Sequence, residues 1–293
     1  MIANGRWTVW PAPAKLNLFL HIVGRRADGY HLLQTVFRLL DWGDTVRVRL
    51  REDGRIERVS GAPGVPPERD IAVRAAQALK AATGTPFGVD LAIDKRIPIA
   101  AGLGGGSSDA ATVLVVLNEL WRTGLDRDRL AAIGLALGAD VPLFVRGHSA
   151  FAEGVGEILA PLPLPEAWYV VLDAGCEAAT PELFQAPDLT RNAEQVTIHD
   201  FLSGRVSGNV FEPVVRRRCP AVASALDWLR NFGTAGMSGS GGAVFLDAGN
   251  EARAREVALR CPAGFIAHVA RGVDVSPLER ALGGTCAESV MAD

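Results

Sequence analysis

Ile97-Pro-Ile-Ala-Ala-Gly-Leu-Gly-Gly-Gly-Ser-Ser-Asp-Ala-Ala111 reads as the end of a strand, a glycine loop and the start of a helix. Gly102, Gly104, Gly105 and Gly106 permit positive φ and let the backbone come close to a ligand. Successive N–H groups in such a loop converge on one anion. Ser107, Ser108 and Asp109 offer N-cap chemistry for the helix. A helix N-terminus adds unsatisfied donors and partial positive charge. The string is longer than a turn needs, so it reads as a phosphate cradle. It is not a Walker A loop, because no Gly-Lys-Ser/Thr follows. A dinucleotide fingerprint fits poorly too, since that motif follows the first strand. Here several strand-like segments come before the loop.

The chain has 293 residues, enough for two modest domains or one large one. Its hydrophobic content of 48% and charged content of 22% are those of a globular protein. A net charge of -3 argues against a nucleic-acid surface. Cys176, Cys219, Cys261 and Cys286 are scattered, with no CxxC pair and no zinc spacing, so a reduced, cytoplasmic setting is expected. The five histidines show no metal spacing, and no metal-ligating set is assigned. Arg6, Lys15, Arg25 and Arg26 break up any signal-like run. No stretch approaches the roughly 18 apolar residues of a membrane span.

Outward from the loop, residues 7–10 and 16–23 read as strands separated by Pro11 and Pro13. Residues 44–51 alternate with period two, as a half-buried strand does, and Asp53-Gly54 then predicts a hairpin turn. Helical spacing covers 71–83, and Val89, Leu91 and Ile93 give a strand that leads into the loop. Helices are expected over 108–122 and 128–138, then strand-like pieces at 142–146 and 149–153. Leu159-Ala-Pro-Leu-Pro-Leu-Pro165 reads as a linker. Beyond it come a strand at 168–173, a short helix at 181–185, and helix over 213–232 broken near Pro220. A strand at 243–246, a helix at 250–260 and a strand at 265–270 follow. Both halves mix strands and helices without a steady βαβ rhythm, which predicts α+β domains, 1–160 and 161–293.

Some polar residues stand where chemistry would need them. Lys15 lies among apolar strand residues, equally readable as an edge lysine with its head in water. Asp140, in Leu137-Gly-Ala-Asp-Val-Pro-Leu-Phe-Val145, reads as a capping aspartate or as a general base in a partly buried loop. His31 follows Gly29-Tyr30 in a loop-like stretch. Ser238-Gly-Ser-Gly-Gly242 runs into a strand, and beside the first loop it suggests a second backbone-lined anion site.

The segment 98–111 resembles the phosphate-binding motif of the GHMP small-molecule kinases. Pro13-Ala-Lys-Leu-Asn-Leu-Phe-Leu20, Arg26-Ala-Asp-Gly-Tyr-His-Leu-Leu-Gln-Thr35, Gly138-Ala-Asp-Val-Pro142 and Gly239-Ser-Gly-Gly242 narrow the likeness. They point to the branch that acts on a cytidyl-diphosphate ester of methylerythritol. In order and spacing these segments cover nearly the whole chain. The resemblance implies ATP-dependent phosphorylation of the 2-hydroxyl of that substrate, a step of the non-mevalonate isoprenoid pathway, with ATP and Mg2+ as cofactors. It implies a two-domain α+β fold: an N-terminal domain like ribosomal protein S5 domain 2 and a C-terminal ferredoxin-like sandwich. The active site would lie between them, and the end of the chain would pack back on the first domain.

By the same resemblance Asp140 is the base and Lys15 sits beside it. Gly102, Leu103, Gly104, Gly105, Gly106, Ser107 and Ser108 wrap the ATP phosphates, Pro98 joins them in binding the nucleotide, and Lys95 borders it. Tyr30 and Phe184 stack on the cytosine, with Phe184 matched through Thr180-Pro-Glu-Leu-Phe184. His31 bonds the edge of the base, and Asn17, Thr180, Gly239, Ser240 and Gly241 contact substrate. The expected partners are small molecules, with no nucleic acid or membrane, on a monomer or weak homodimer. Where relatives of that branch often read Asn-Leu, this chain has Asp70-Ile71, which still caps a helix. Another GHMP kinase acting on a plain alcohol or phosphomevalonate, a GHMP-fold protein that binds a ligand without catalysis and a dinucleotide oxidoreductase are the alternative readings.

Overall fold

The long antiparallel pair β1 (Thr8–Arg25) and β2 (His31–Arg51) is the frame on which the other elements are laid. The structure, a computed structural model, describes residues 5–176 and 180–290. Beyond β2 come β3 (Ile56–Ser60), α1 (Ile71–Thr83), β4 (Gly88–Asp94), α2 (Gly105–Leu120), α3 (Arg127–Leu135) and α4 (Val141–Arg146). Then follow β5 (Ala150–Glu153), β6 (Ile158–Pro161), β7 (Trp168–Asp173), α5 (Thr180–Phe184), α6 (Ile198–Leu202), α7 (Glu212–Arg218) and α8 (Pro220–Arg230). The chain closes through β8 (Ala235–Met237), β9 (Ala243–Asp247), α9 (Glu251–Leu259), β10 (Ile266–Val273) and α10 (Pro277–Val290).

Among the described residues the strands join in the order β3-β4-β2-β10-β7-β9-β8, with β1 and the β5–β6 hairpin also on β2. β10 is the seam: it runs antiparallel to β7 from Ile266 to Arg271, then pairs Gly272 and Val273 with Leu40 and Leu39 of β2. One core lies under α1 and α2, where Val113, Leu114, Val116 and Leu117 meet Val46, Val48, Leu91 and Ile93. A second lies where Val222, Leu226 and Leu229 of α8 meet Val170, Leu172, Val244 and Leu246. The apolar run of α2 is thus a helix buried on nearly every side.

The structure departs from the sequence reading at defined places. β1 runs straight through Pro11 and Pro13, which sit opposite Thr45 and Gly43. Proline is tolerated there because, among the described residues, β2 is the strand that pairs with β1 at Pro11 and Pro13, and no second strand ladder runs along the other edge at those positions. α2 covers that side, where Thr112 Oγ1 donates to the Pro11 carbonyl at 3.2 Å. The turn at Asp53-Gly54 makes no hairpin: β4 occupies the edge of β2, and β3 pairs with β4 in parallel. Residues 141–146 are helix rather than strand, with Pro142 in the first turn, where a missing N–H costs nothing. The supposed linker begins as β6, paired with β5 from Glu153 to Ala150. Ser107, Ser108 and Asp109 lie inside α2; its N-cap is Gly104, and no side chain caps it. Cys176 and Cys219, 43 residues apart, are joined as a disulfide with Cα atoms 6.5 Å apart, so the expectation of separate thiols is corrected for that pair. The end of β7 and the start of α8 converge there.

Candidate active site

Three chain segments meet at the front of α2. The Lys15 backbone N–H donates to the Leu103 carbonyl at 3.0 Å, tying β1 to the glycine loop. Ser238 Oγ donates to the Gly102 carbonyl at 2.9 Å and accepts from the Asn17 N–H at 3.2 Å. The two glycine loops therefore touch. Gly102, at φ +80°, would carry a Cβ 2.2 Å from the Ser238 carbonyl oxygen, so only glycine fits. Gly104, at φ +75°, would press a Cβ onto the Phe144 ring. With no side chain capping α2, its first N–H groups remain for an anion.

Lys15 is not an edge lysine with its head in water: it is 2% exposed. Its ammonium donates to Asn17 Oδ1 at 2.5 Å and lies 3.4 Å from Asp140 Oδ2 and 5.3 Å from the Phe37 ring centroid. Asn17 Nδ2 donates to Thr35 Oγ1 at 2.9 Å, which orients the amide. Asp140 stands at the N-cap position of α4 but makes no capping bond, and its side chain is 32% exposed. Its carboxylate is thus held by Lys15 and open to a ligand.

Two cavities flank this carboxylate. The larger, about 1000 Å³, is lined by Lys15, Asn17, Tyr30, His31, Phe184, Gly239 and Ser240. The smaller, about 450 Å³, is lined by Lys95, Pro98 and the loop from Gly102 to Ser107. Gly102, Ser107, Asp140 and Ser240 line both. Of the residues expected at the site, Ser108 is buried behind the loop, and its Oγ has no hydrogen-bond partner. Gly241 lies behind Gly102, outside both linings. Thr180 begins α5, and its side chain is outside the described residues.

At the far end of the larger cavity, His31 and Phe184 lie face to face, centroids 4.8 Å apart and 17° between planes. Tyr30 stands at the mouth, 65% exposed. The His31 pKa is held below the usual imidazole range by burial, then by the nearby Arg25 and Arg191 cations.

The smaller cavity holds a buried charge cluster that the sequence reading did not foresee. Lys95 pairs with Asp44 and, at 2.7 Å, with Asp109. Asp44 Oδ1 also accepts the N–H groups of Arg96 and Ile97, at 2.5 and 2.8 Å. Burial works to lower the Lys95 pKa, but Asp109 and Asp44 raise it on balance. Burial, helped by Asp44 and Asp70, pushes the Asp109 carboxyl up to about 7 against the pull of Lys95. Period two carried the signal for Asp44: it shares its strand face with the buried Val46 and Val48.

The chain matches the family models "GHMP kinases N terminal domain" over residues 70–148 and "GHMP kinases C terminal" over 182–267. It is 57% identical over 279 residues to a 4-diphosphocytidyl-2-C-methyl-D-erythritol kinase of Halorhodospira halophila, covering 94% of this chain and 96% of that one. The chain belongs to the GHMP kinases, among the 4-diphosphocytidyl-2-C-methyl-D-erythritol kinases. A like-named kinase of Xanthomonas campestris pv. campestris is 56% identical over 281 residues, 96% of this chain and 95% of that one. The crystal structure of a 4-(cytidine 5'-diphospho)-2C-methyl-D-erythritol kinase superposes with TM-score 0.79 at 35% identity, covering 90% of this chain and 99% of that one. The Methanococcus jannaschii mevalonate kinase, at 15% identity and TM-score 0.66 over 92% of this chain and 100% of that one, shares the fold. Within the described residues no helix is long and apolar enough to cross a membrane.

Proposed function

We propose that this GHMP kinase transfers the γ-phosphoryl of ATP to the 2-hydroxyl of 4-diphosphocytidyl-2-C-methyl-D-erythritol, the acceptor that the names of its relatives give. The observation that carries the reading is the shared wall: Gly102, Ser107, Asp140 and Ser240 line both cavities, so a donor in one meets an acceptor in the other at Asp140. The smaller cavity takes ATP. The loop from Gly102 to Ser107 and the uncapped start of α2 receive its phosphates. Lys95 borders the nucleotide.

The larger cavity takes the cytidyl ester. Tyr30, His31 and Phe184 form its apolar, aromatic end, which a plain alcohol would leave unused. Asn17 and the second glycine loop support the rest of the acceptor. Asp140 accepts the proton of the attacking hydroxyl while Lys15 orients the carboxylate and offsets charge on the phosphoryl group. Positioning and charge stabilisation suffice for this chemistry, because no covalent enzyme intermediate is needed. Bound with the nucleotide, magnesium would supply charge neutralisation at the phosphates. Ser107 and Asp109 offer oxygen donors on the wall of the smaller cavity, and Asp109 Oδ1 is buried without a hydrogen-bond partner. A donor of ATP supports a cytoplasmic setting.

The test is ADP release with ATP and magnesium, comparing the cytidyl acceptor with the same molecule lacking its cytidine. Turnover with the cytidyl acceptor alone is expected. Equal turnover with both would remove the base pocket from the reading.

A further inference from the structure

The residue that builds the aromatic end of the larger cavity is not itself aromatic. α5 has only five residues, so its carbonyls lack helical partners beyond the first turn. Arg191 supplies a partner to the last of them, Phe184, and to two carbonyls of the segment that follows. Its Nη2 donates to the carbonyls of Phe184 and Ala186 at 2.8 and 2.7 Å, and its Nη1 to that of Leu189 at 3.1 Å. The planar fork of a guanidinium suits this set of acceptors, whereas an ammonium is a point donor.

The segment that carries Arg191 is itself tied to the first two strands. The Ala193 N–H donates to the Ile22 carbonyl at 2.9 Å. The buried Gln34 accepts the Val196 N–H at 2.8 Å and donates to the Val196 carbonyl at 3.1 Å. Phe184 is thus referred, through Arg191, to the same strands that carry His31. Its ring is fixed between the face of His31 and the ring of Phe211, whose centroid lies 5.0 Å away at 89°. Arg191 also lines the cavity beside His31 and Arg25.

We propose that Arg191 is a positioning residue for acceptor recognition: its fork holds Phe184 against His31, and its charge forms, with Arg25, a cationic rim on the base pocket. The inference rests on the cytidyl reading given above. The lowered pKa of His31 agrees with it. Burial acts first, and both arginines then oppose protonation of the imidazole. Arg25 faces His31 from β1, where the two residues are register partners, and Arg191 faces it from the segment after α5. The nearest carboxylate on the β1–β2 turn, Asp28, is engaged by Arg26 at 2.7 Å. A neutral ring nitrogen can accept a hydrogen bond from an exocyclic amino group such as that of cytosine.

Steady-state kinetics of Arg191→Met and Arg191→Lys, with ATP and the cytidyl acceptor, separate the two roles. Both variants lose the fork, so the acceptor KM should rise about tenfold in each, while kcat and the KM for ATP stay within about twofold. Arg191→Met also loses the charge, so the acidic limb of its acceptor kcat/KM should move to higher pH. In Arg191→Lys that limb should stay where it is in the wild type. An unchanged acceptor KM in both variants would overturn the proposal, as would equal losses for ATP and acceptor. If Arg191→Met fails to fold, Arg191→Gln replaces it. Wild-type enzyme that ignores the cytidyl acceptor would instead sink the substrate reading, and this inference with it.

Discussion

Asp140 occupies a helix N-cap position and yet spends neither oxygen on the helix. That is what leaves it free for chemistry. A capping carboxylate accepts a backbone N–H and becomes a poorer base, because its charged form is already stabilised. Here Lys15 is the nearest cation, at 3.4 Å, and it is itself anchored by Asn17. Asp140→Asn keeps the shape and an acceptor for Lys15 but removes the carboxylate proposed as the base. Turnover should fall by roughly 10²–10⁴-fold, while ADP affinity by calorimetry stays close to that of the wild type. Loss of nucleotide binding in a folded variant would instead assign Asp140 to the donor. In the sequence, Lys15 and Asp140 were legible as polar residues in apolar company. Their pairing was not, because 125 residues separate them and only the packing of β1 against the α2–α4 layer brings them together.

At the scale of elements, the glycine loop works because its ends are fixed from outside. Asp44 of β2 holds Lys95 and the N–H groups of Arg96 and Ile97, and Ser238 holds Gly102. Gly102→Ala should destabilise the fold by about 2 kcal/mol or more, since it adds a clash to left-handed backbone. Thermal denaturation with and without ADP would show both a lower Tm and a smaller stabilisation by ligand. Asp44→Asn retains one acceptor for the two backbone N–H groups but leaves Lys95 with Asp109 as its charged partner. The KM for ATP should rise roughly tenfold through the lost charge-assisted bond, with the acceptor KM unchanged. A change confined to the acceptor would place the cluster outside the nucleotide site. Helix periodicity announced α1, and α2 was announced by the length of its apolar run. The strand-like reading of 142–146 failed because a short apolar run carries no period of its own, and burial on all sides erases the amphipathic signal.

In the whole molecule, the two halves share one sheet through β10, and Arg38 locks the seam. It is 2% exposed, pairs with Asp274, and donates to the carbonyls of Pro165 and Gly272 at 3.0 Å each. Gly272 is required beside it, because a Cβ there would lie 2.2 Å from Arg38 Nε. Arg38→Met leaves those carbonyls and Asp274 without their partner and should cost about 3 kcal/mol. Because β10 pairs with both β2 and β7, unfolding followed by calorimetry should remain one transition at a lower Tm. Two separated transitions would mean that the halves unfold independently.

The sequence by itself determined the glycine loop, the helices on either side of it, the mixed α+β character and the family. Each of these is carried by local patterns: glycine at positive φ, periodicities of 2 and 3.6, and motifs of a few residues in fixed order. Only the tertiary structure decided the long β1 through two prolines, the parallel β3–β4 pair and the place of Asp140 between two cavities. It alone also revealed the Asp44–Lys95–Asp109 cluster and the hold of Arg191 on Phe184. The physical reason is common to all of them. They depend on which backbone edge or buried charge meets which partner across tens to hundreds of residues, and a local pattern carries no record of a contact that only packing creates.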